Sequence, residues 1–160
     1  MEKYETLRKR FGAAFVDTFI LVPVNLVISF ATVFFNSSAT AVALSSAVAG
    51  LISVFYYILA HYYYGQTVGK MLAKVKVLDD SEKQINFGQA VLRSFPQLIM
   101  AMFAFSFSNA QKGTTGIVGT LIYWLVMIFG IADILVCLMN EKHRALHDFI
   151  AGTIVVRTDV

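Results

Sequence analysis

Asp17 and Asp133 each interrupt a long apolar stretch of this 160-residue chain. An ionised side chain at the centre of a membrane helix costs on the order of 3 kcal/mol on insertion scales, so an acid there needs a polar partner, water or a proton. Desolvation favours the neutral form of a carboxyl group, and two carboxylates at one depth repel each other if both ionise. A shared proton or a bound cation relieves both problems. That is the chemistry of an exchange site, where a proton and a metal ion compete for the same oxygens. Arg10 and Arg93 are placed to tune the two acids, and Asn25, His61 and Gln97 can add ligands. A static alternative stands beside this one: Arg10 with Asp17, and Arg93 with Asp133, as ion pairs that fix helix register.

The elements that must position these groups follow from composition. With 58% hydrophobic and 14% charged residues, the chain holds more apolar surface than a soluble domain of its size can hide. Crossing the roughly 30 Å hydrocarbon layer takes about 20 apolar residues in a helix. Four such runs occur, at 11–35, 41–64, 87–108 and 116–139. Pro23 marks a kink in the first, and Arg93, Pro96 and Gln97 blur the start of the third. No sustained period-two alternation supports strands, so the expected fold is an all-α membrane protein, one domain over 1–160 built as a four-helix bundle. Asp17 lies seven residues beyond Arg10, and Asp133 seven before Asn140, which sets each about 10 Å deep from the same surface.

Of the 13 basic residues, all but Lys112 fall before the first run, between the second and third, or after the fourth. Lys and Arg accumulate on the cytoplasmic side, so both termini are expected there, in the cell membrane. The net charge of +3 then reads as topology signal and as attraction to anionic lipid, not as a nucleic-acid surface. The first run is too long, and holds an acid too far inside it, for a cleaved leader. Cys137 is the only cysteine, which rules out an internal disulfide and makes it an apolar filler.

The cytoplasmic segment 65–86 carries Lys74-Val75-Lys76-Val77-Leu78, alternating like a strand, a turn at Asp79-Asp80-Ser81-Glu82, and Gln84-Ile85-Asn86-Phe87 as a possible return strand, giving a hairpin-like loop. Thr153-Ile154-Val155-Val156 is a further β-branched run, and these short pieces can pair into a small sheet. Gly65-Gln66-Thr67-Val68-Gly69-Lys70 has too short a glycine spacing, and Met71 in place of Ser or Thr, for a phosphate loop; it reads as a tight turn at the membrane surface. His143 and His147 are spaced to share a helix face, but an interfacial stretch facing headgroups is preferred to a metal site. Tyr56, Tyr57, Tyr62, Tyr63 and Tyr64 read as interface belt and packing, and the Asn36-Ser37-Ser38 glycosylation pattern sits too near the membrane to count. No nucleophile and base arrangement points to an enzyme, and nothing calls for a cofactor.

Taken in order, Arg10 and Asp17, then Gly65, Gly69 and Lys70 with the Lys76-Val77-Leu78 strand, then Ala90-Val91-Leu92-Arg93, and finally Arg144 to Val156 with His147, Asp148 and Gly152, resemble the successive motifs of the RDD family of membrane proteins. The resemblance covers nearly the whole chain. It implies that Arg10 and Asp17 are the first two of the family's named residues, with Asp148 or Asp133 as the third. Members are implicated in sodium/proton exchange or in binding and regulating partner membrane proteins, so two functions are expected. One is a monovalent cation/proton antiporter using Asp17 and Asp133, in a homo-oligomer because four helices leave little room for an aqueous path. The other is a non-catalytic partner of another membrane protein.

Overall fold

The computed structural model describes residues 2–35, 38–110 and 117–159. Lys112 and the Asn36 and Ser37 positions of the glycosylation pattern lie outside these. The element order is a short 3-10 turn Glu2–Tyr4, then α1 Leu7–Phe34, α2 Ala39–Tyr64, α3 Val68–Leu72, β1 Val75–Asp79, α4 Phe87–Arg93, α5 Phe95–Ala110, α6 Ile117–Met139, α7 Leu146–Ala151 and β2 Thr153–Arg157.

Among the described residues, α1, α2 and α6 are long and apolar enough to cross a membrane. Their outward residues are large and bare: Phe15 is 66% exposed, Phe19 63% and Ile128 65%. Water would penalise such a surface by about 25 cal/mol per Å² of apolar area, whereas lipid tails do not. The long helices form a row in which α1 packs on α2, α2 chiefly on α5, and α5 on α6. The two outer helices, α1 and α6, have at most marginal contact with each other among the described residues.

The expected third run divides into α4 and α5 at Ser94. Pro96 lacks a donor, and in one continuous helix its ring would clash with the carbonyl four residues back, so the chain turns before it. The break leaves Arg93 buried at the end of α4.

The expected hairpin within 65–86 is corrected. β1 pairs antiparallel with β2 at the chain's far end, Val77 opposite Val155. Residues 84–86 form no strand because Asn86 opens α4 through a capping box, its side chain accepting from Gln89 N at 2.9 Å while Gln89 Oε1 accepts from Asn86 N at 3.0 Å. Ile85 still contributes its side chain to the core of Val75, Val77, Ala90 and Val155, against which Ile58 and Tyr62 pack. Among the described residues the chain is therefore mostly helical with one two-stranded sheet, which a helix-only description omits. The sheet joins the 3-10 turn through packing, and Lys9 pairs with Asp159, so the N-terminal segment, the 65–93 segment and the C-terminal tail assemble at one end of the bundle.

Val77 is fully buried in that sheet. Val77→Ala removes two buried methyl groups and is expected to lower stability by about 2 kcal/mol. Unfolding of the detergent-solubilised protein checks this against Leu44→Ala, at a site 61% exposed on α2, where little change is expected.

Candidate functional site

Asp17 is 1% exposed on α1. Its Oδ1 accepts from the Tyr56 hydroxyl and from the Gly69 backbone N–H, both at 2.8 Å, and its Oδ2 accepts from the Thr67 hydroxyl at 2.6 Å. The turn that supplies two of these donors is locally determined. Gly65 ends α2 in the left-handed region at φ 67°, Thr67 caps α3 by accepting from Lys70 N, and α3 then lies against α1. Gly69 permits the contact because a Cβ there would stand 2.1 Å from Ala13 O. The motif is a tight turn, as its spacing suggests, and it also provides a carboxylate cradle that the spacing does not announce.

Asp148, on α7, is fully buried. Arg10 and Arg93 each donate to it through Nη1, and Ala145 N donates at 3.0 Å. Arg93 also donates to Thr153 Oγ1 at 2.8 Å, and Arg10 Nε to Thr6 Oγ1 at 3.0 Å. Burial alone would push the Asp148 carboxyl up, but the Arg93 and Arg10 guanidinium groups outweigh it and hold the group well below the usual carboxylate range. The two ion pairs expected for these arginines are thereby corrected. Neither Arg10 with Asp17 nor Arg93 with Asp133 is formed, because a single acid between α1 and α4 takes both guanidinium groups. Of the two candidates for the closing aspartate, Asp148 is the one that the arginines hold.

Asp133, on α6, meets His147 instead. The His147 ring Nδ1 lies 2.8 Å from Asp133 Oδ1, the His147 backbone N donates to the same oxygen at 3.0 Å, and the far ring nitrogen Nε2 is 3.3 Å from Asp148. His147 thus bridges the two acids. His143 does not share its face: it sits in a turn at φ 45°, with its carbonyl accepting from the Cys137 thiol. Among the described residues no group of three or more metal-ligating side chains occurs.

Asp17 and Asp133 have separate hydrogen-bond partners but line one cavity of about 210 Å³, together with Arg10, Lys70, Arg93 and Gln97. Lys70 enters this set as a residue that the helix-based reasoning had left in the surface turn. Its Nζ lies 2.7 Å from His61 Nε2. Burial first, and then repulsion from Arg93, push the Lys70 ammonium well below the usual lysine range, against the pull of Asp148 and Asp17. Asn25 stands apart, its amide donating back to Leu21 O at 2.9 Å, and lines a second cavity. Gln97 lines both cavities. Tyr56, read as belt, donates to Asp17, whereas Tyr63 and Tyr64 are each 62% exposed.

The family model described as the RDD family matches residues 4–152. No curated protein and no solved structure matches the chain. The match spans the Arg10 and Asp17 helix, the Gly65 to Lys70 cradle, the buried Arg93 and the Asp148 motif, all on a mostly helical membrane body; the chain belongs to the RDD family.

Proposed function

We propose that this protein crosses the cell membrane four times, with both termini in the cytoplasm, and exchanges a monovalent cation, sodium first among the candidates, for protons at the charged cavity. The observation that carries this reading is that Asp17, Asp133 and Lys70, on three different elements, line one cavity. A carboxylate has about four lone-pair directions; the protein donates to Asp17 along three, which leaves room for one proton or cation. Lys70 supplies the competition. While its ammonium is present it offsets the nearby carboxylates; when it loses its proton, their negative charge is left for a cation to neutralise. Because burial depresses the Lys70 pKa, that loss comes at lower pH than for an ordinary lysine. Apparent sodium affinity therefore rises as pH rises.

Proteoliposomes holding the purified protein under a pH gradient are expected to show sodium-dependent proton flux, reduced at least about tenfold in Asp17→Asn, a barrier change of about 1.4 kcal/mol. Lys70→Arg keeps a permanent charge and is expected to flatten the dependence of sodium affinity on pH. Flux no greater than that of empty vesicles defeats the proposal.

A second reading, a non-catalytic membrane partner that binds or regulates another membrane protein, is supported by the sparse contact between α1 and α6 and by their exposed apolar side chains, which another helix could cover. Crosslinking in native membranes is then expected to recover one dominant different protein through these two helices, and recovery of self-linked species alone counts against it.

A further inference from the structure

The charged cavity reaches only part of the way along the helices, and the second cavity, of about 580 Å³, begins where it ends. Tyr57 and Gln97 line both. From there the larger space follows α1 from Thr18 to Ser29 and α2 from Tyr57 back to Ser45, a rise of about 16 Å on α1 toward the end of the bundle opposite the sheet.

Its lining mixes apolar side chains such as Leu21, Ile28 and Met100 with a series of hydroxyl groups. Thr18 donates to Ala14 O, Ser45 and Ser46 to Val42 O, and Ser53 to Ala49 O, each within its own helix. A hydroxyl has one proton and two lone pairs, so once the proton is committed to the backbone the oxygen offers only acceptance to the space beside it. Gln97 Oε1, at the junction, is buried with no hydrogen-bond donor among the described residues. These oxygens can accept from a hydronium ion or from the water shell of a monovalent cation, while the Tyr57 hydroxyl and the Asn25 and Gln97 amides, which line the same space, keep donors for water. Close packing maintains the wall: a Cβ at Gly50 would stand 2.7 Å from Ala101 Cβ, where α2 meets α5.

We infer that this second cavity is the outer half of an aqueous cation path, joined to the charged cavity at Tyr57 and Gln97, within a single copy of the chain. The inference rests on the exchange reading for its cargo, but the path itself can be tested without transport. In a Cys137→Ala background, single cysteines at Ser46 and Ser53 are treated in proteoliposomes with a membrane-impermeant, positively charged thiol reagent, and the adduct is counted by mass. Both are expected to react at least about tenfold faster than a cysteine at Leu44, which is 61% exposed on the outside of α2. Reaction no faster than at Leu44 overturns the path.

Flux separates the two claims. Rapid labelling without sodium-dependent flux keeps the path and removes the exchange reading; flux with slow labelling keeps exchange and removes the path. Gln97→Leu closes the junction with an apolar side chain and is expected to lower flux at least about tenfold while labelling at Ser46 persists. Undiminished flux in that variant overturns the junction.

Discussion

Asp148→Asn is expected to destabilise the detergent-solubilised protein by about 3 to 5 kcal/mol, the range for removing one partner of a buried ionic group. The substitution keeps shape and removes charge, leaving Arg10 and Arg93 together in a buried site with no carboxylate between them. Uncompensated guanidinium groups cannot escape by losing a proton, since arginine stays charged in proteins. The comparison that isolates charge from packing is the triple variant Arg10→Met, Arg93→Met, Asp148→Leu, which exchanges the cluster for apolar volume and is expected to be far milder. If the single variant unfolds no more readily than wild type, the arginine and aspartate cluster does not hold these elements together.

The same group makes an acid limb. Its folded pKa lies below the value for an unfolded aspartate, about 3.9. A depressed carboxyl contributes stability that is present above the unfolded value and is lost as pH falls toward the folded one. Wild-type stability is therefore expected to decline below about pH 4, and Asp148→Asn to show a shallower decline over that window. Parallel slopes in the two proteins would show that Asp148 contributes nothing to the acid limb.

Gly69→Ala is expected to be nearly as damaging, by a different route. The added carbon would meet Ala13 O at 2.1 Å and Asp17 Cγ at 2.9 Å. The first of these is hydrogen-bonded backbone within the long helix α1 and cannot swing aside, so α3 must lift from α1. Overpacking costs about 1 to 3 kcal/mol, and losing a hydrogen bond to a buried charged group adds about 1.5 to 3 kcal/mol. Asp17 would lose the Gly69 donor and, with the lifted turn, the Thr67 hydroxyl. Stability and any sodium-dependent flux should fall together. Gly12→Ala is the control: nothing lies within 4 Å of its added carbon, and alanine favours a helix by up to about 1 kcal/mol over glycine. Equal behaviour of the two variants would mean that α3 does not sit on α1.

Much of the architecture was legible because lipid imposes simple demands. Long apolar runs have few ways to satisfy their backbone except as helices, and the Pro96 that blurs the third run is the residue that separates α4 from α5. The strand at 75–79 was visible from alternating Lys and Val, and Thr153 to Val156 as a piece that could join it, but the choice of that run over the nearer 84–87 was not, since strand pairing depends on which segments the helices deliver to the same place. Asn86 with Gln89 was a readable helix start that the hairpin reading passed over. The acids were found by their cost: an aspartate within an apolar run draws notice wherever it stands. Their partners were assigned from depth along single helices, which cannot say which helix lies beside which. Arg10 and Arg93 are near the right level for Asp17 and Asp133 yet meet at Asp148, and two of the three donors to Asp17, Thr67 and Gly69, come from a turn 50 and 52 residues away in sequence.

The order of residues by itself determined that the chain is a helical membrane protein of the RDD type, because hydrophobic length and local turn chemistry are properties of neighbours along the chain. Only the tertiary structure decided that Asp148 gathers both arginines, that Gly69 and Thr67 close over Asp17, that Lys70 faces the acids, and that Asp133 reaches them through His147. Hydrogen bonds and charges act over a few ångströms of space, and at that range the neighbours of each group come from helices and turns far apart in the chain.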